Sequence, residues 1–162
     1  MDLSIMVGEV KFNYRAGLLI KRGNKILVEV NPDIDFVTIP GGRIKTLENS
    51  QEGLLREIQE EMNIDLSKDD LKVKALIENF FHMDGKDFHE LFVLYKIKVK
   101  EEDARFQDDM INHDSKASYY RWVDQDKLGD ENLLPEPVRY IEDNDQFEHI
   151  VVNNLVQKKN TH

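Results

Sequence analysis

The sequence predicts an α/β domain in which a mixed β-sheet is flanked by helices. Short apolar or alternating segments, bounded by turn residues, indicate the strands. One segment, Ser50–Met62, instead has the spacing of an amphipathic helix with its apolar residues on one flank. Together these segments give the order β-β-β-α-β-β-β-α, which is typical of a sheet with helices packed against it.

Three strands are predicted before this helix. Residues 16–20 and Lys25–Val30 form a hairpin, and Gly23 and Asn24 supply a turn of the kind that joins two short strands. Residues 36–39 form a third, short strand. It leads into the Gly-Gly turn that precedes the helix.

A second group of strands is predicted after the helix. Residues 71–82 and 88–100 form a longer hairpin, because residues 84–86 read Asp-Gly-Lys, a turn signal. An acidic, polar stretch follows, and residues 119–123 then form the last predicted strand.

Helical segments are predicted near the end of the chain. Residues 136–143 are expected to form a helix, with Pro135 and Pro137 near its start. Residues 147–156 could continue as another helix.

The chain of 162 residues fits one domain, predicted to span residues 1–157, and is long enough to bury a core. No linker rich in Pro, Gly or Ser divides it, and no internal repeat is evident. The polar tail, residues 158–162, is predicted to be disordered.

The formal net charge of −10 limits the partners that the chain can bind. A surface field of this sign repels polyanions, so a long nucleic acid is not expected, whereas a small phosphate ligand held through a metal is compatible with it. No membrane partner is expected, because the sequence lacks a spanning apolar run and a signal peptide. The cytoplasm is the default location, and a homodimer is a possible assembly. The absence of cysteine removes disulfides, thiolate zinc sites and cysteine nucleophiles.

The predicted helix carries its acidic residues in a pattern that favours metal binding. Glu57, Glu60 and Glu61 stand at i, i+3 and i+4, so their carboxylates converge on one edge of the helix. Like charges at this spacing repel by about 0.2–0.5 kcal/mol per pair in water, and a hard divalent cation such as Mg²⁺ or Mn²⁺ would offset the repulsion. The other flank is apolar and is expected to pack against the sheet. Its residues are Leu54, Leu55, Ile58 and Met62.

Both ends of the helix can be predicted from the sequence. Asn49, followed three residues later by Glu52, makes a capping-box-like start. Asn63 fits the end, because after Gly it is Asn that most readily takes the left-handed conformation that ends many helices.

The segment from Gly41 to Ile64 resembles the Nudix box of the MutT-like Nudix hydrolases. That motif reads Gly, five residues, Glu, seven residues, and then Arg-Glu-U-x-Glu-Glu-x-Gly-U, where U is a bulky aliphatic residue. The matching residues are Gly42, Glu48, Arg56, Glu57, Ile58, Glu60, Glu61 and Ile64. The one departure is Asn63 in place of Gly, which the capping argument above makes tolerable. The resemblance assigns no subfamily.

The resemblance implies an α/β/α sandwich in which the box is a loop-helix-loop, and it implies a role for each matching residue. Glu57 and Glu61 would be the most direct metal ligands, and Glu60 would ligate the metal or activate water. The carbonyl group of Gly41 would complete the metal site. Arg56 would orient Glu57 by a charge-assisted hydrogen bond.

Other residues of the box have less specific roles. Glu48, a candidate catalytic residue, would either lie beside the metal or hold the loop in place, and its position ahead of the helix favours the second role. Gly42 and Arg43 are candidates for contacting the substrate, although a Gly-Gly pair alone is more often only a turn. Gly53 would leave space above the metal or be a tolerated defect of the helix.

The implied reaction is the Mg²⁺-dependent hydrolysis of a nucleoside diphosphate linked to another moiety, with a small nucleotide as substrate. The alternatives are a nucleotide-binding module without hydrolytic activity and a structural or interaction protein with an acidic helix. The general base could be Glu60 or a carboxylate before the last predicted strand, and Asp109 and Asp114 are the candidates there. Nothing in the spacing of His82 and His89 indicates a metal site, and the residues downstream of the box do not identify the substrate.

Overall fold

The computed structural model describes residues 1–155. In these residues ten strands form one mixed sheet, and a single long helix packs on one of its faces. The strands are β1 (Ser4–Val7), β2 (Val10–Arg22), β3 (Lys25–Val30), β4 (Val37–Thr38), β5 (Gly41–Arg43), β6 (Lys72–Met83), β7 (Lys86–Val99), β8 (Met110–Ile111), β9 (Tyr119–Asp124) and β10 (Glu148–Asn153). The helices are α1 (Ser50–Met62) and the 3₁₀ helices Lys68–Asp70, Gln125–Asp130 and Glu136–Tyr140.

The strands follow the order β10-β6-β7-β2-β3-β9-β8 across the sheet. The pairs β2–β7 and β10–β6 are parallel and the other pairs are antiparallel, so the sheet is mixed as predicted. Both predicted hairpins are present. In the β6–β7 turn, Asp84 and Gly85 both have positive φ, at 53° and 77°, which is the backbone of a type I′ hairpin turn.

Each face of the sheet supports its own apolar core. On one face, Ala16, Leu18 and Leu27 pack with Leu54 and Ile58 of α1. On the other face, a second core is closed by the segment that contains two of the 3₁₀ helices. Its buried residues are Ile26, Val28, Ile39, Ala75, Ile77, Phe92, Leu94, Val123, Leu128, Leu133 and Val138. The sheet is therefore covered on both faces, and the predicted α/β/α sandwich is confirmed.

The predicted helix at residues 136–143 was wrong in type and length. The chain forms a 3₁₀ helix, Glu136–Tyr140, and Ile141 is already extended with φ −62° and ψ 127°. The physical reason is Pro137, which lies inside the first turn, lacks an N–H group and allows only a short helical segment.

The predicted helix at residues 147–156 was also wrong, because Glu148–Asn153 is strand β10, paired in parallel with β6. Exposure alternates along β10, so that Ile150 and Val152 pack on the core while Val151 faces outward. Such alternation, with β-branched residues, is the signal of a strand. Strands β1 and β8 were not predicted from the sequence either.

The proposed domain limits, residues 1–157, and the tail at residues 158–162 reach outside the described residues, so the single-domain organisation stays a prediction. Among residues 1–155, no helix has both the length and the apolar content that a membrane crossing requires.

Candidate active site

Helix α1 begins and ends as the sequence predicts, and these ends fix where its acidic residues lie. The Asn49 side chain accepts a hydrogen bond from the Glu52 N–H group at 2.8 Å, and the Asn49 N–H group donates to the Glu52 carboxylate at 3.1 Å. At the other end Asn63 is left-handed, with φ 57° and ψ 38°, and its N–H group donates to the Gln59 carbonyl at 2.9 Å. Asn63 thus takes the conformation for which a glycine is otherwise suited.

The glycines before the helix permit two close approaches. Gly41 lies opposite Gly17 on β2, and a Cβ atom on Gly41 would be 2.2 Å from the carbonyl oxygen of Ala16. A Cβ atom on Gly42 would be 2.4 Å from Cδ of Glu57. The Gly-Gly pair is therefore more than a turn, because it lets β5 lie against β2 and leaves room for the Glu57 carboxylate.

Arg56 joins the acidic residues of the loop and the helix. Its Nε and Nη2 atoms donate to both oxygens of Glu48, at 2.7 Å and 2.8 Å, and Nη2 also donates to the Arg43 carbonyl at 3.0 Å. Its Nη1 atom donates to Glu57 at 3.0 Å and to Glu60 at 3.3 Å. The hydrogen bonds from Arg56 hold the pKa of Glu48 below its usual value.

Glu48 lies where it can hold the loop before α1 in place. Besides its two-point contact with Arg56, it accepts a hydrogen bond from the Lys45 N–H group at 2.7 Å. Its side chain is 16% exposed and fits against Gly53, where a Cβ atom would be 3.0 Å from the Glu48 carboxylate. A Cβ atom there would also be 2.6 Å from Cδ1 of Ile44, so Gly53 leaves space for Ile44 and Glu48, not for a group above Glu57.

Glu61 has a different environment from the other glutamates of the helix. Its Oε2 atom is buried and has no hydrogen-bond partner among residues 1–155. Burial, followed by the nearby charges of Glu29 and Glu57, raises the pKa of Glu61 to about 9. A carboxylate in this position is costly to ionise alone, and a divalent cation beside it would remove the cost.

Glu60 points away from this environment. Its side chain is 42% exposed and contacts Arg56, whereas Glu57 is 13% exposed and lies under Gly42. The structure thus divides the predicted residues into two groups. Glu57, Glu61, Gly41, Gly42 and Arg43 line a cleft of about 470 Å³, while Glu48, Arg56 and Glu60 lie outside its lining.

Sequence reasoning missed Glu29 of β3, which lines the same cleft. It lies directly opposite Tyr120 of β9, and burial raises the pKa of Glu29. Burial and the charges of Glu29 and Glu61 likewise raise the pKa of the Tyr120 hydroxyl. The available signal was a glutamate within the apolar part of strand Lys25–Val30, two residues after the buried Leu27 and hence on the same face.

The two candidate bases before β9 lie in different places. Asp114 is close enough for its charge to act on Glu61, and its loop is attached to α1 by a hydrogen bond from the His113 N–H group to the Glu61 carbonyl, at 2.7 Å. Asp109 lines a separate cavity at the end of α1, together with Asn63. The structure therefore brings Asp114, but not Asp109, toward the glutamates.

The residues fit a divalent cation by their chemistry, although their side chains do not yet form a complete ligand set. Among the described residues, no three acidic or histidine side chains are arranged as a ready metal site. Glu61 nevertheless has an unpaired buried oxygen, and Glu57 and Gly41 open onto the same cleft. Oxygen ligands of this kind suit Mg²⁺ and Mn²⁺.

The two histidines near the β6–β7 turn contact neighbouring side chains. His82 contacts Asp87 at 2.9 Å, and the His89 ring packs on Phe80 with 4.5 Å between ring centroids.

A second, more apolar cavity of about 280 Å³ adjoins the cleft. The two share several wall residues, including Arg15, Thr38 and Phe81. Leu134, Pro135 and Val152 contribute to the far side of the second cavity. A ligand can therefore extend from the carboxylates of the cleft into an apolar space.

Comparison with known proteins identifies the family. The family model described as "NUDIX domain" matches residues 11–143. The chain belongs to the Nudix family and is a Nudix-type hydrolase, of a family that acts on phosphoric anhydride bonds of nucleoside-diphosphate-linked compounds and generally uses divalent metal ions. No curated protein matches the chain significantly.

Solved structures share the fold at low sequence identity. The mutator MutT protein of Bacillus halodurans is 14% identical with a TM-score of 0.64, over 88% of this chain and 91% of that one. The MutT protein of Methanosarcina mazei Go1 is 17% identical with a TM-score of 0.57, over 80% and 89%. The ORF135 protein of E. coli is 20% identical with a TM-score of 0.55, over 84% and 91%. These likenesses agree with the sandwich fold described above.

Proposed function

We propose that this chain hydrolyses a nucleoside diphosphate linked to another moiety and that it requires Mg²⁺, which Mn²⁺ can replace. The observation that carries the proposal is the convergence of Glu57, Glu61 and Gly41 on one cleft, where an oxygen of Glu61 is buried without a partner. These groups would hold the ion. When bound, it would neutralise charge on the phosphoryl oxygens and align the phosphates.

The loop and helix supply rigid positions for these groups. Arg56 fixes one oxygen of Glu57 at 3.0 Å, and Glu48 in turn holds Arg56 through two hydrogen bonds. Such support of a ligand by neighbouring groups sets its orientation before the substrate binds. Arg56 and Glu48 would then contribute to catalysis by positioning Glu57, whereas Glu57 itself would act at the metal.

The attacking water needs a group that accepts its proton. Glu60, exposed at the outer side of α1, is the first candidate, as a ligand or water activator. Asp114 is the second candidate, because its charge reaches Glu61 and its loop is held against α1. Replacement of each residue by its amide distinguishes the two roles.

The cleft and the adjoining cavity suggest how the substrate lies. The phosphates would occupy the cleft beside Glu57 and Glu61, where Gly42 and Arg43 line the wall and the Arg43 guanidinium can contact a phosphate. The rest of the nucleotide would extend toward the apolar cavity, where Phe81 offers a surface on which a base can stack. The cytoplasmic location and the homodimer stay predictions.

The experiment that tests the proposal is a hydrolysis screen of the purified full chain. (Deoxy)nucleoside triphosphates, oxidised nucleotides, nucleotide sugars and dinucleotides are each incubated with Mg²⁺, with Mn²⁺ and with excess chelator. We expect phosphate product from at least one class, with metal only. Glu57→Gln serves as the inactive variant, and Glu131→Gln, whose carboxylate pairs with Arg121 at 2.9 Å, serves as the matched control.

Two results would contradict the proposal. Full activity in excess chelator would show that no metal is needed. Thermal stabilisation by a nucleotide, without product from any class, would instead identify the chain as a binding module.

A further inference from the structure

Glu29 is one of the acidic residues of the cleft that lie outside the helix and its preceding loop. It belongs to β3, where Leu27 packs into the core beneath α1, and the two-residue period of a strand places Glu29 on that same face. Its side chain therefore points toward α1, and its charge is among the largest influences on Glu61. Glu29, Glu57 and Glu61 all line the same cleft.

Contacts from the neighbouring loop hold Glu29 in place. The Asn112 amide donates to a Glu29 oxygen at 3.3 Å, and the Asn112 carbonyl oxygen accepts from the N–H groups of Asp114 and Ser115 at 2.8 Å and 3.1 Å. Asn112 is itself 6% exposed. The position of the carboxylate is thus built into the fold and does not depend on a flexible surface side chain.

Tyr120 provides an independent observation at the same point. It lies directly opposite Glu29 in the β3–β9 ladder and is only 2% exposed. Its buried hydroxyl has no hydrogen bond of good geometry among residues 1–155, yet it faces Glu29 and Glu61. A buried hydroxyl group is seldom left without a partner, and the Glu29 carboxylate is an acceptor within its reach, whereas the buried Oε2 atom of Glu61 has none.

The distribution of positive charge points to what is missing. Arg56 contacts Glu48, Glu57 and Glu60. Arg15, the other arginine at the cleft, forms its ion pair with Glu90, at 3.5 Å. Among the described residues, no cationic side chain forms an ion pair with Glu29 or Glu61. When both are ionised, these two carboxylates carry the charge that one divalent cation neutralises.

We propose that Glu29 is a further ligand, from β3 and outside the box helix, of the divalent cation that Glu61 binds. Tyr120 would then be a positioning residue whose hydroxyl donates to the Glu29 oxygen that does not face the metal. The inference rests on the proposed function for the existence of the cation site, and it adds a ligand that the sequence motif does not contain.

Binding of Mn²⁺ to the purified full chain, measured without any nucleotide, tests this assignment. Calorimetry or the electron paramagnetic resonance signal of free Mn²⁺ gives the Kd. We expect Glu29→Gln to raise the Kd by at least about tenfold, the lower end of the loss seen when even an outer partner of a metal ligand is removed. The same variant should unfold at a higher temperature than wild type when chelator is present, because one of two facing acids has become neutral.

Glu90→Gln is the matched control. Glu90 is 2% exposed and lines the same cleft, but its charge is already paired with Arg15. This variant should raise the Kd for Mn²⁺ much less than Glu29→Gln does, because its only effect on the site is through Arg15, whose charge also acts on Glu29. Tyr120→Phe keeps every carboxylate and should weaken Mn²⁺ binding less than Glu29→Gln does.

The outcomes separate this inference from the proposed function. A wild-type Kd in Glu29→Gln would overturn the assignment of Glu29 and leave the hydrolysis screen unaffected. Loss of affinity in Glu90→Gln equal to that in Glu29→Gln would also overturn it, since the effect would then be one of overall charge.

If Glu29→Gln does not fold, a crystal structure of the wild-type protein with Mg²⁺ decides the question. A Glu29 oxygen about 2.1 Å from the ion supports the assignment, and one outside coordination distance refutes it.

Discussion

Replacement of Gly42 by alanine tests how closely the Gly-Gly loop and the metal-side carboxylate depend on each other. The new Cβ atom would lie 2.4 Å from Cδ of Glu57 and 2.6 Å and 2.8 Å from its two oxygens. Ordinary contact begins near 3.4 Å, so the carboxylate must move by about 1 Å. That displacement takes it out of line with Arg56, which now holds it at 3.0 Å.

The expected effect is on activity more than on stability. Misplacement of a catalytic group by about 1 Å can cost about 10²-fold in rate, and we expect kcat/KM to fall by that order. The displaced group is the end of a flexible side chain, so its movement costs little. Alanine also lowers the conformational entropy of the unfolded chain, which stabilises the folded state by about 0.4–1 kcal/mol. The free energy of unfolding should therefore change by less than about 1 kcal/mol.

The assay combines the Mg²⁺-dependent rate on the substrate found in the screen with urea unfolding of the same preparations. Gly129→Ala is the control, because a Cβ atom there meets its nearest neighbour, the Tyr140 ring, at 3.4 Å. Gly42→Ala with wild-type kcat/KM would refute the reasoning. A loss of activity matched by a large loss of stability would also refute it, because the change would then act on the fold.

Four further predictions concern Arg56, Glu61, Asn63 and the two aspartates before β9. Arg56→Lys should lower the free energy of unfolding in urea by about 1–3 kcal/mol, because a lysine cannot reproduce the two-point contact with a carboxylate. Because the pKa of Glu61 is raised to about 9 from 4.5, the folded protein holds a proton that the unfolded chain has lost between these values. Metal-free protein should thus lose stability as pH rises through that range. In chelator, the unfolding temperature of Glu61→Gln should depend less on pH than that of wild type. Asn63→Ala should destabilise by about 1 kcal/mol, whereas Asn63→Gly should not, since only the alanine is strained at φ 57°. Asp114→Asn should lower kcat by about 10²-fold if it is the general base, and Asp109→Asn should leave kcat unchanged.

The helix and its ends could be predicted because their signals are local. Asn49 and Glu52 lie within one turn of each other, and Asn63 needs only its own backbone conformation, so neighbouring residues suffice to recognise them. The same holds for the β6–β7 turn at Asp84 and Gly85. Strand β10 offered only a short local signal, the β-branched residues Ile150, Val151 and Val152, and the partner that determines its structure, β6, lies far away in the sequence.

The candidate site was predicted only in part, for the same reason. The spacing of Glu57, Glu60 and Glu61 places all three on one edge of the helix. It does not show that the Glu60 side chain contacts Arg56 and is 42% exposed, whereas an oxygen of Glu61 is buried. That difference depends on β3 and on the loop before β9, which approach α1 only in the folded chain. Glu29 was missed because its role depends on a face of the sheet, not on the motif.

The most direct test of the central claim compares wild type with Glu61→Gln, in the same nucleotide hydrolysis assay, with Mg²⁺ and with excess chelator. The account predicts product from wild type only when Mg²⁺ is present, and loss of most of the rate in Glu61→Gln under the same conditions. Wild-type turnover in chelator, or a fully active Glu61→Gln, would contradict the claim that the carboxylates of this cleft act through a divalent cation.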